Sequence, residues 1–134
     1  MHRAIWLIAS VLFAGCGPGL VPVEGRVLLE DQPLADAQVL FLPKSGGRPA
    51  TGKTNAEGQF TLTTNRPSDG VRPGEYQVAV TALQVLYVRP TDGSEYAEQK
   101  VWIAPERYSK PAESGLAATI SPEANRPTFE LRAK

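Results

Sequence analysis

Proline and glycine occur so often in this chain that long helices have little room to form. The 134 residues include 12 prolines and 12 glycines, and both residue types weaken helix interiors but are common in turns. Between these turn residues lie short runs in which apolar and polar side chains alternate. Alternation with period two is typical of strands that bury one face. The sequence therefore predicts an all-β sandwich of roughly seven or eight strands.

The strongest alternation covers residues 75–82 and places Tyr76, Val78 and Val80 on one face. Residues 83–88 are predicted to extend this strand past a bulge. The chain is predicted to close with a hairpin formed by its last two strands. The other predicted strands are residues 23–29, 37–42, 50–54, 59–64 (with Phe60 and Leu62 facing inward), 114–120 and 128–131. Residues 89–99 are predicted to form a polar loop, followed by a short apolar patch over residues 100–103.

The segment Asn55–Gly58 (NAEG) predicts a tight turn. An asparagine side chain can accept hydrogen bonds from its own turn, and glycine readily adopts a positive φ. The alternative is a calcium loop, which needs roughly six to eight oxygen ligands. Only Asn55 and Glu57 offer side-chain oxygens in this segment. We therefore expect a structural turn, with no metal and no other cofactor.

The N-terminus has the layout of a bacterial lipoprotein signal peptide. One basic residue, Arg3, precedes the apolar run Ala4–Ala14. This run is shorter than the roughly 20 apolar residues that cross a bilayer, but it has the length of a secretory signal core. It leads into Phe13–Cys16 (FAGC), which resembles a lipobox. The pattern predicts a signal peptide over residues 1–15 and attachment of lipid, including palmitate, at Cys16.

Cleavage before Cys16 would leave a short tether over residues 16–22 and one domain over residues 23–134. A tether of this length reaches roughly 20 Å at about 3.3 Å per residue, so the domain would lie close to the membrane. The alternative is a signal cut by an ordinary signal peptidase, with the cysteine incidental. Lipid anchoring predicts a location in a bacterial cell envelope, facing the periplasm or the exterior.

The charge pattern and the rare residue types argue against several classes of function. Lysine and arginine total 14, as do aspartate and glutamate, and their scatter leaves no basic field for nucleic acid. His2 is the only histidine and Cys16 the only cysteine. The predicted mature domain therefore lacks the imidazole of standard nucleophilic sites, and we expect no catalytic residues. An enzyme that uses only carboxylates is the alternative, although no spacing singles out a pair.

Three motifs, in this order, resemble the carboxypeptidase regulatory-like domains. They lie in residues 23–39 (VEGRV, then QPLADAQV), 54–60 (TNAEGQF) and 73–78 (PGEYQV). The resemblance implies a transthyretin-like (prealbumin-like) sandwich over the whole predicted domain. From Pro105 onwards, the chain is similar to a group of small planctomycete-type lipoproteins of unknown function.

Aromatic residues recur in the less regular region 83–111. Tyr87 and Tyr96, together with Trp102, are the candidates for a contact surface. Exposed aromatic side chains there could stack on sugars or anchor a protein partner. In the alternative, Trp102 and Tyr108 cap one end of the core, with residues 101–103 forming a buried edge.

These patterns predict a non-enzymatic, membrane-anchored lipoprotein that acts as a binding or scaffolding module of the cell envelope. Its partners would be the bilayer, through acylated Cys16, and an envelope protein or a glycan. Carbohydrate recognition through Tyr87, Tyr96 or Trp102 is the alternative among binding functions. The inner or outer membrane, the oligomeric state and the specific ligand are left open by the residues.

Overall fold

The computed structural model describes residues 19–123 and 125–133. The predicted signal peptide (residues 1–15) and Cys16 lie outside the described residues. The described part is nearly all-β, which confirms the predicted fold class, and it contains ten strands and one 3₁₀ turn, Glu106–Ser109. The strands are β1 (Glu24–Leu29), β2 (Gln32–Pro33), β3 (Gln38–Pro43), β4 (Ala50–Lys53), β5 (Gln59–Thr61), β6 (Gly74–Thr81), β7 (Leu83–Val88), β8 (Ala97–Trp102), β9 (Leu116–Ile120) and β10 (Thr128–Leu131).

The strand count exceeds the predicted seven or eight for two reasons. The segment after β1 folds back as the two-residue strand β2. In addition, β8 begins at Ala97, where the sequence predicts a polar loop, and it pairs with β7 over six residues. Because this pairing makes β7 a strand of its own sheet, residues 83–88 do not simply lengthen β6.

Two sheets form the sandwich, and their inner faces share one core. The first sheet is centred on β1, which pairs in parallel with β10 and antiparallel with β2 and β5. The second sheet has the order β4-β3-β6-β9, with all neighbours antiparallel. A bridge between Thr51 and Thr63 joins the two sheets at one corner. Within the described residues, β7 and β8 pair only with each other.

An aromatic cluster joins the inner faces of the two sheets. Phe41 on β3 is fully buried, and its ring centroid lies 5.6 Å from that of Tyr76, 5.9 Å from Phe129 and 6.3 Å from Phe60. Phe41 and Tyr76 belong to the second sheet, whereas Phe60 and Phe129 belong to the first. Tilted and edge-on rings at these separations attract one another beyond their burial. The cluster therefore ties the two sheets together at the centre of the sandwich.

The inward faces predicted from alternation are confirmed. On β6, Tyr76, Val78 and Val80 are all buried, as are Phe60 on β5 and Leu62 after it. Their neighbours on either side along the chain are in most cases more exposed. The period of two therefore predicts correctly which side chains fill the core.

The predicted tight turn at Asn55–Gly58 is also present. The Asn55 Oδ1 accepts hydrogen bonds from the backbone N–H of Glu57 at 3.0 Å and of Gln59 at 2.9 Å. Gly58 has a φ of +76°, a conformation that favours glycine. The side-chain oxygen of Asn55 is thus engaged by the backbone of its own turn.

The last two strands do not form the predicted closing hairpin. β9 pairs with β6 in the second sheet, whereas β10 lies parallel to β1 in the first. The link between them crosses from one sheet to the other, and Asn125 braces it. The Asn125 Oδ1 accepts from the Ser121 N–H at 3.1 Å, and its Nδ2 donates to the Ser121 carbonyl at 2.9 Å. Alternation is the same in either arrangement, so the sequence pattern does not select the partner strand.

The chain enters the sandwich at one end and projects the β7–β8 pair from the other. Val21 bridges Val71, which lies just before the start of β6. Ala82 follows the last residue of β6 and leads directly into β7. β6 has eight residues, which span roughly 25 Å at about 3.3 Å per residue. The strand β6 therefore separates the N-terminal end of the described chain from the β7–β8 pair.

The backbone of Gly25 on β1 lies against the Phe60 ring of the aromatic cluster. A Cβ at this position would overlap the Phe60 ring and lie 2.9 Å from the carbonyl oxygen of Pro127. We predict that Gly25→Ala lowers the free energy of unfolding by about 1–3 kcal/mol through overpacking, measured by chemical denaturation. Gly19→Ala is the matched control, because nothing lies within 4 Å of a Cβ there. Equal effects of the two substitutions would contradict close packing at Gly25.

Candidate functional site

Residues 83–102 form a two-stranded ribbon, the β7–β8 arm, which stands apart from the sandwich. Leu83 pairs with Trp102 at its base, and Val88 pairs with Ala97 near its tip. A loop over residues 89–96 joins the two strands. Nearly every residue of both strands is exposed, since neither face of the ribbon packs on the core.

Every large apolar side chain that is exposed in the described part of the chain lies on or beside this arm. Tyr87 is 68% exposed and Tyr96 is 64% exposed. The others are Val85, Leu86, Val88, Val101 and Ile103. Concentrated apolar exposure marks interaction sites on soluble proteins. Because an isolated two-stranded hairpin is at best marginally stable in water, the arm would gain stability from a partner that covers it.

One face of the arm combines aromatic and charged side chains, because residues directly opposite in an antiparallel pair share a face. The opposed pairs on this aromatic face are Leu83 and Trp102, Val85 and Lys100, and Tyr87 and Glu98. Tyr96 continues the same alternation beyond the start of β8. The guanidinium carbon of Arg89 lies 5.7 Å from the Tyr96 ring centroid, which is the distance of a cation–π contact.

The other face of the arm carries no charged side chain. Its opposed pairs are Gln84 and Val101, Leu86 and Gln99, and Val88 and Ala97. This apolar face therefore differs in chemistry from the aromatic face, although both belong to the same two strands. A partner that covers the apolar face would bury aliphatic groups without desolvating a charge.

The three predicted contact residues share the aromatic face, with Tyr87 and Tyr96 towards the tip of the arm and Trp102 at its base. Tyr87 and Tyr96 are strongly exposed, whereas Trp102 is half-buried at the base of the arm. The predicted buried edge over residues 101–103 is wrong, because Val101 is 38% exposed and Ile103 is 48% exposed. The physical reason is that β8 pairs with β7, and β7 itself lies outside the sandwich.

Sequence reasoning missed Val85, Leu86 and Val88 as exposed residues of the site. Residues 83–88 (LQVLYV) are apolar at almost every position. Such a run is typical of a strand buried on both faces, so it gives no sign of exposure. The available signal is the position of this run. Residues 83–88 continue from β6 through Ala82 without a turn residue, and a polar loop follows them.

The base of the arm is closed by the backbone. The N–H groups of Ile103 and Ala104 both donate to the carbonyl oxygen of Ala82, at 2.9 Å and 3.3 Å. Ala82 and Ala104 are buried in the core. The two chain ends of the arm therefore lie side by side, and the sandwich is complete without the ribbon between them.

Asp69 and Asp92 each hold the loop in which they lie through hydrogen bonds. Asp69 accepts hydrogen bonds from the N–H groups of Thr64 at 2.7 Å, Arg66 at 2.9 Å and Asn65 at 3.0 Å. The bond from Thr64, with the other two, lowers the pKa of Asp69 below its ordinary value. In the arm, the Ser94 hydroxyl and N–H likewise lower the pKa of Asp92.

An open polar groove of about 540 Å³ lies on the outer face of the first sheet. The cations Arg26, Lys53 and Arg126 line it, with Glu24 as the single carboxylate among its lining residues. Phe60 and Gly25 contribute to its wall. The lining of the groove contains no pair of carboxylates. It also contains none of the aromatic residues predicted for contact, which lie on the arm.

The described residues show neither a metal cluster nor a membrane helix. Within residues 19–123 and 125–133, no three histidine, cysteine, aspartate or glutamate side chains lie together as metal ligands. Over the same stretch, no helix has the length and apolar character needed to span a bilayer. The chain matches no protein-family model and no curated protein. The geometry of the arm is therefore the main guide to function.

Excision of the arm tests its independence from the sandwich. We predict that replacing residues 83–102 by a short Gly-Ser turn changes the free energy of unfolding by about 1 kcal/mol or less, because the ribbon contributes little to the core. Chemical denaturation measures this value, and dye binding to apolar surface should fall in parallel. As a control, Phe41→Ala should cost about 3–5 kcal/mol. Loss of cooperative unfolding after excision would show that the arm supports the sandwich.

Proposed function

We propose that this protein is a lipid-anchored, non-enzymatic scaffolding module of a bacterial cell envelope, which binds a protein partner through the β7–β8 arm. The observation that carries this proposal is the concentration of exposed apolar side chains on the arm. We also propose that residues 23–134 are a carboxypeptidase regulatory-like domain. The motifs at residues 54–60 and 73–78 support this, as does the two-sheet sandwich.

The anchoring half of the proposal rests on the N-terminal sequence. Arg3, the apolar run Ala4–Ala14 and the segment Phe13–Cys16 follow the order of a lipoprotein signal. Stable membrane attachment takes two acyl chains or an equivalent second signal. A diacylglycerol on Cys16 supplies two chains, so it would anchor the domain without a polybasic patch.

The position of the arm supports a protein partner rather than the bilayer. The arm leaves the sandwich at Ala82, and the chain enters near Val21, at the opposite end of β6. A tether over residues 16–22 reaches only roughly 20 Å. On a chain anchored through Cys16, the base of the arm would therefore lie at the end of β6 opposite the tether, where the arm can meet other components of the envelope.

The anchor predicts a specific covalent mass. We expect the protein extracted from its native membrane to begin at Cys16 and to carry a diacylglycerol-sized addition, as read by intact mass spectrometry. The substitution Cys16→Ala should abolish both the addition and retention in the membrane fraction, because the thiol is the attachment site. Cys16→Ser is a second variant that keeps the size of the side chain. An unmodified mass, or a chain cut at another residue, would overturn the lipid anchor.

Carbohydrate binding is the second candidate, and one observation favours it. Tyr87, Tyr96 and the half-buried Trp102 share the aromatic face of the arm, and exposed rings such as those of Tyr87 and Tyr96 are suited to stacking on sugars. If the arm binds a glycan, Tyr87→Ala should lose the signal on a glycan array while Leu86→Ala, on the opposite face, keeps it. If a protein is the partner, we expect no signal above background for the unsubstituted chain.

A further inference from the structure

The outer edge of β8 has a sequence that is complementary to itself. Residues 96–102 read Tyr-Ala-Glu-Gln-Lys-Val-Trp. Residues at equal distances before and after Gln99 have chemistries that suit each other. An acid stands against a base, a small apolar residue against another apolar residue, and one aromatic ring against another. Two copies of this strand can therefore lie antiparallel about a two-fold axis at Gln99.

In that register, the charges of the two copies pair. Glu98 of one copy lies opposite Lys100 of the other, and the symmetry generates the same pair a second time. Tyr96 lies opposite Trp102 at both ends. Opposed pairs of unlike charge and opposed aromatic pairs each stabilise an antiparallel ladder by about 0.2–1 kcal/mol.

Neighbouring registers lose this match. Centring the two-fold axis on Glu98 places two carboxylates opposite each other, and centring it on Lys100 places two ammonium groups opposite each other. Like charges directly opposite destabilise a ladder. A shift by one residue pairs Glu98 with Gln99 or with Val101, so neither charge meets its opposite. The charge pattern therefore selects the register centred on Gln99.

The β8 edge is free to pair in this way. In the described residues, β8 pairs with β7 on one side only, and Ala97 to Val101 are all exposed. The strand contains no proline, and its pairing with β7 runs without a bulge; proline and bulges are both devices that blunt an edge. Charged side chains, lysine above all, are another such device, but in the register centred on Gln99 the charges of Glu98 and Lys100 pair with each other instead of repelling a second copy. The register with β7 places Glu98, Lys100 and Trp102 on the aromatic face and Gln99 on the apolar face. Pairing of two β8 edges keeps the aromatic and apolar faces separate, since opposed residues share a face.

We infer that two copies of this chain join edge to edge through β8, forming a four-stranded antiparallel sheet with a two-fold axis at Gln99. The inference deepens the proposed function, because it names a second copy as a partner of the arm. It rests on the arm being an interaction element. A two-fold interface of this kind is self-complementary and closed. The sheet has four strands where each free arm has two, which crosses the threshold for a stable sheet.

Disulfide trapping at the two-fold axis tests the inference. The experiment uses the full chain, in whichever cell fraction, membrane or soluble, contains it. Opposed Cα atoms of an antiparallel pair lie about 4.5–5.5 Å apart, which suits a disulfide. We expect Gln99→Cys to give an oxidised dimer in high yield. Glu98→Cys is the matched control, because its two copies would be two residues out of register and roughly 8 Å apart, which is too far to bridge. The unsubstituted chain controls for crosslinking through Cys16.

Charge variants in the Gln99→Cys background test the pairing itself. Glu98→Lys opposes two ammonium groups twice across the axis, so we expect the crosslink yield to fall by about tenfold. Lys100→Glu should act in the same direction by opposing two carboxylates. The double swap of Glu98→Lys with Lys100→Glu restores both pairs in reverse and should restore the yield. This rescue separates charge pairing from a general loss of folding.

Three outcomes would overturn the inference: no Gln99→Cys dimer, equal crosslinking from Glu98→Cys, or no rescue by the double swap. A dimer trapped by Leu86→Cys but not by Gln99→Cys would mean that β7 is the paired edge, which also overturns it. These results are independent of the mass of the N-terminus. Failure of the lipid anchor would be seen in the intact mass, whereas failure of the β8 pairing would be seen in the crosslink.

Discussion

The contact among four aromatic rings at the centre of the sandwich is the interaction on which the rest of the structure depends. Phe41 touches Tyr76 in its own sheet and both Phe60 and Phe129 across the interface. These rings hold two sheets together in a chain whose described part has no long helix to cover either sheet. Gly25 leaves the room that the Phe60 ring occupies beside β1. Polar outer faces can then meet water without cost, because the apolar area lies between the sheets.

The arm is the exception to this arrangement. The sandwich hides its large apolar side chains, yet the ribbon beyond Ala82 exposes them on both faces. The arm adds little to the core, so folding alone does not account for its composition. The proposed role in contact with another molecule would account for it. On a tethered protein, confinement to a membrane would raise the effective concentration of neighbouring copies, which makes even a small edge-to-edge contact useful.

Part of the candidate site could be predicted from the sequence. Tyr87, Tyr96 and Trp102 stand out as aromatic residues beside a polar loop. Their placement on one face could not be predicted, because it depends on the pairing of Leu83 with Trp102 and of Tyr87 with Glu98. Inserting or deleting one residue in the loop would move the side chains of one strand to the opposite face. The apolar run over residues 83–88 was misleading for a similar reason, since exposed and buried apolar strands have the same pattern.

The sequence by itself determined the all-β class, the inward faces of the strands and the turn at Asn55–Gly58. These follow from local chemistry: alternation sets which face of a strand is apolar, and turn residues set where it ends. Only the tertiary structure decided that β9 and β10 belong to different sheets and that β7 and β8 leave the core together. Those outcomes depend on which strands compete for the edges of β1 and β6, and alternation along one strand carries no information about its neighbour.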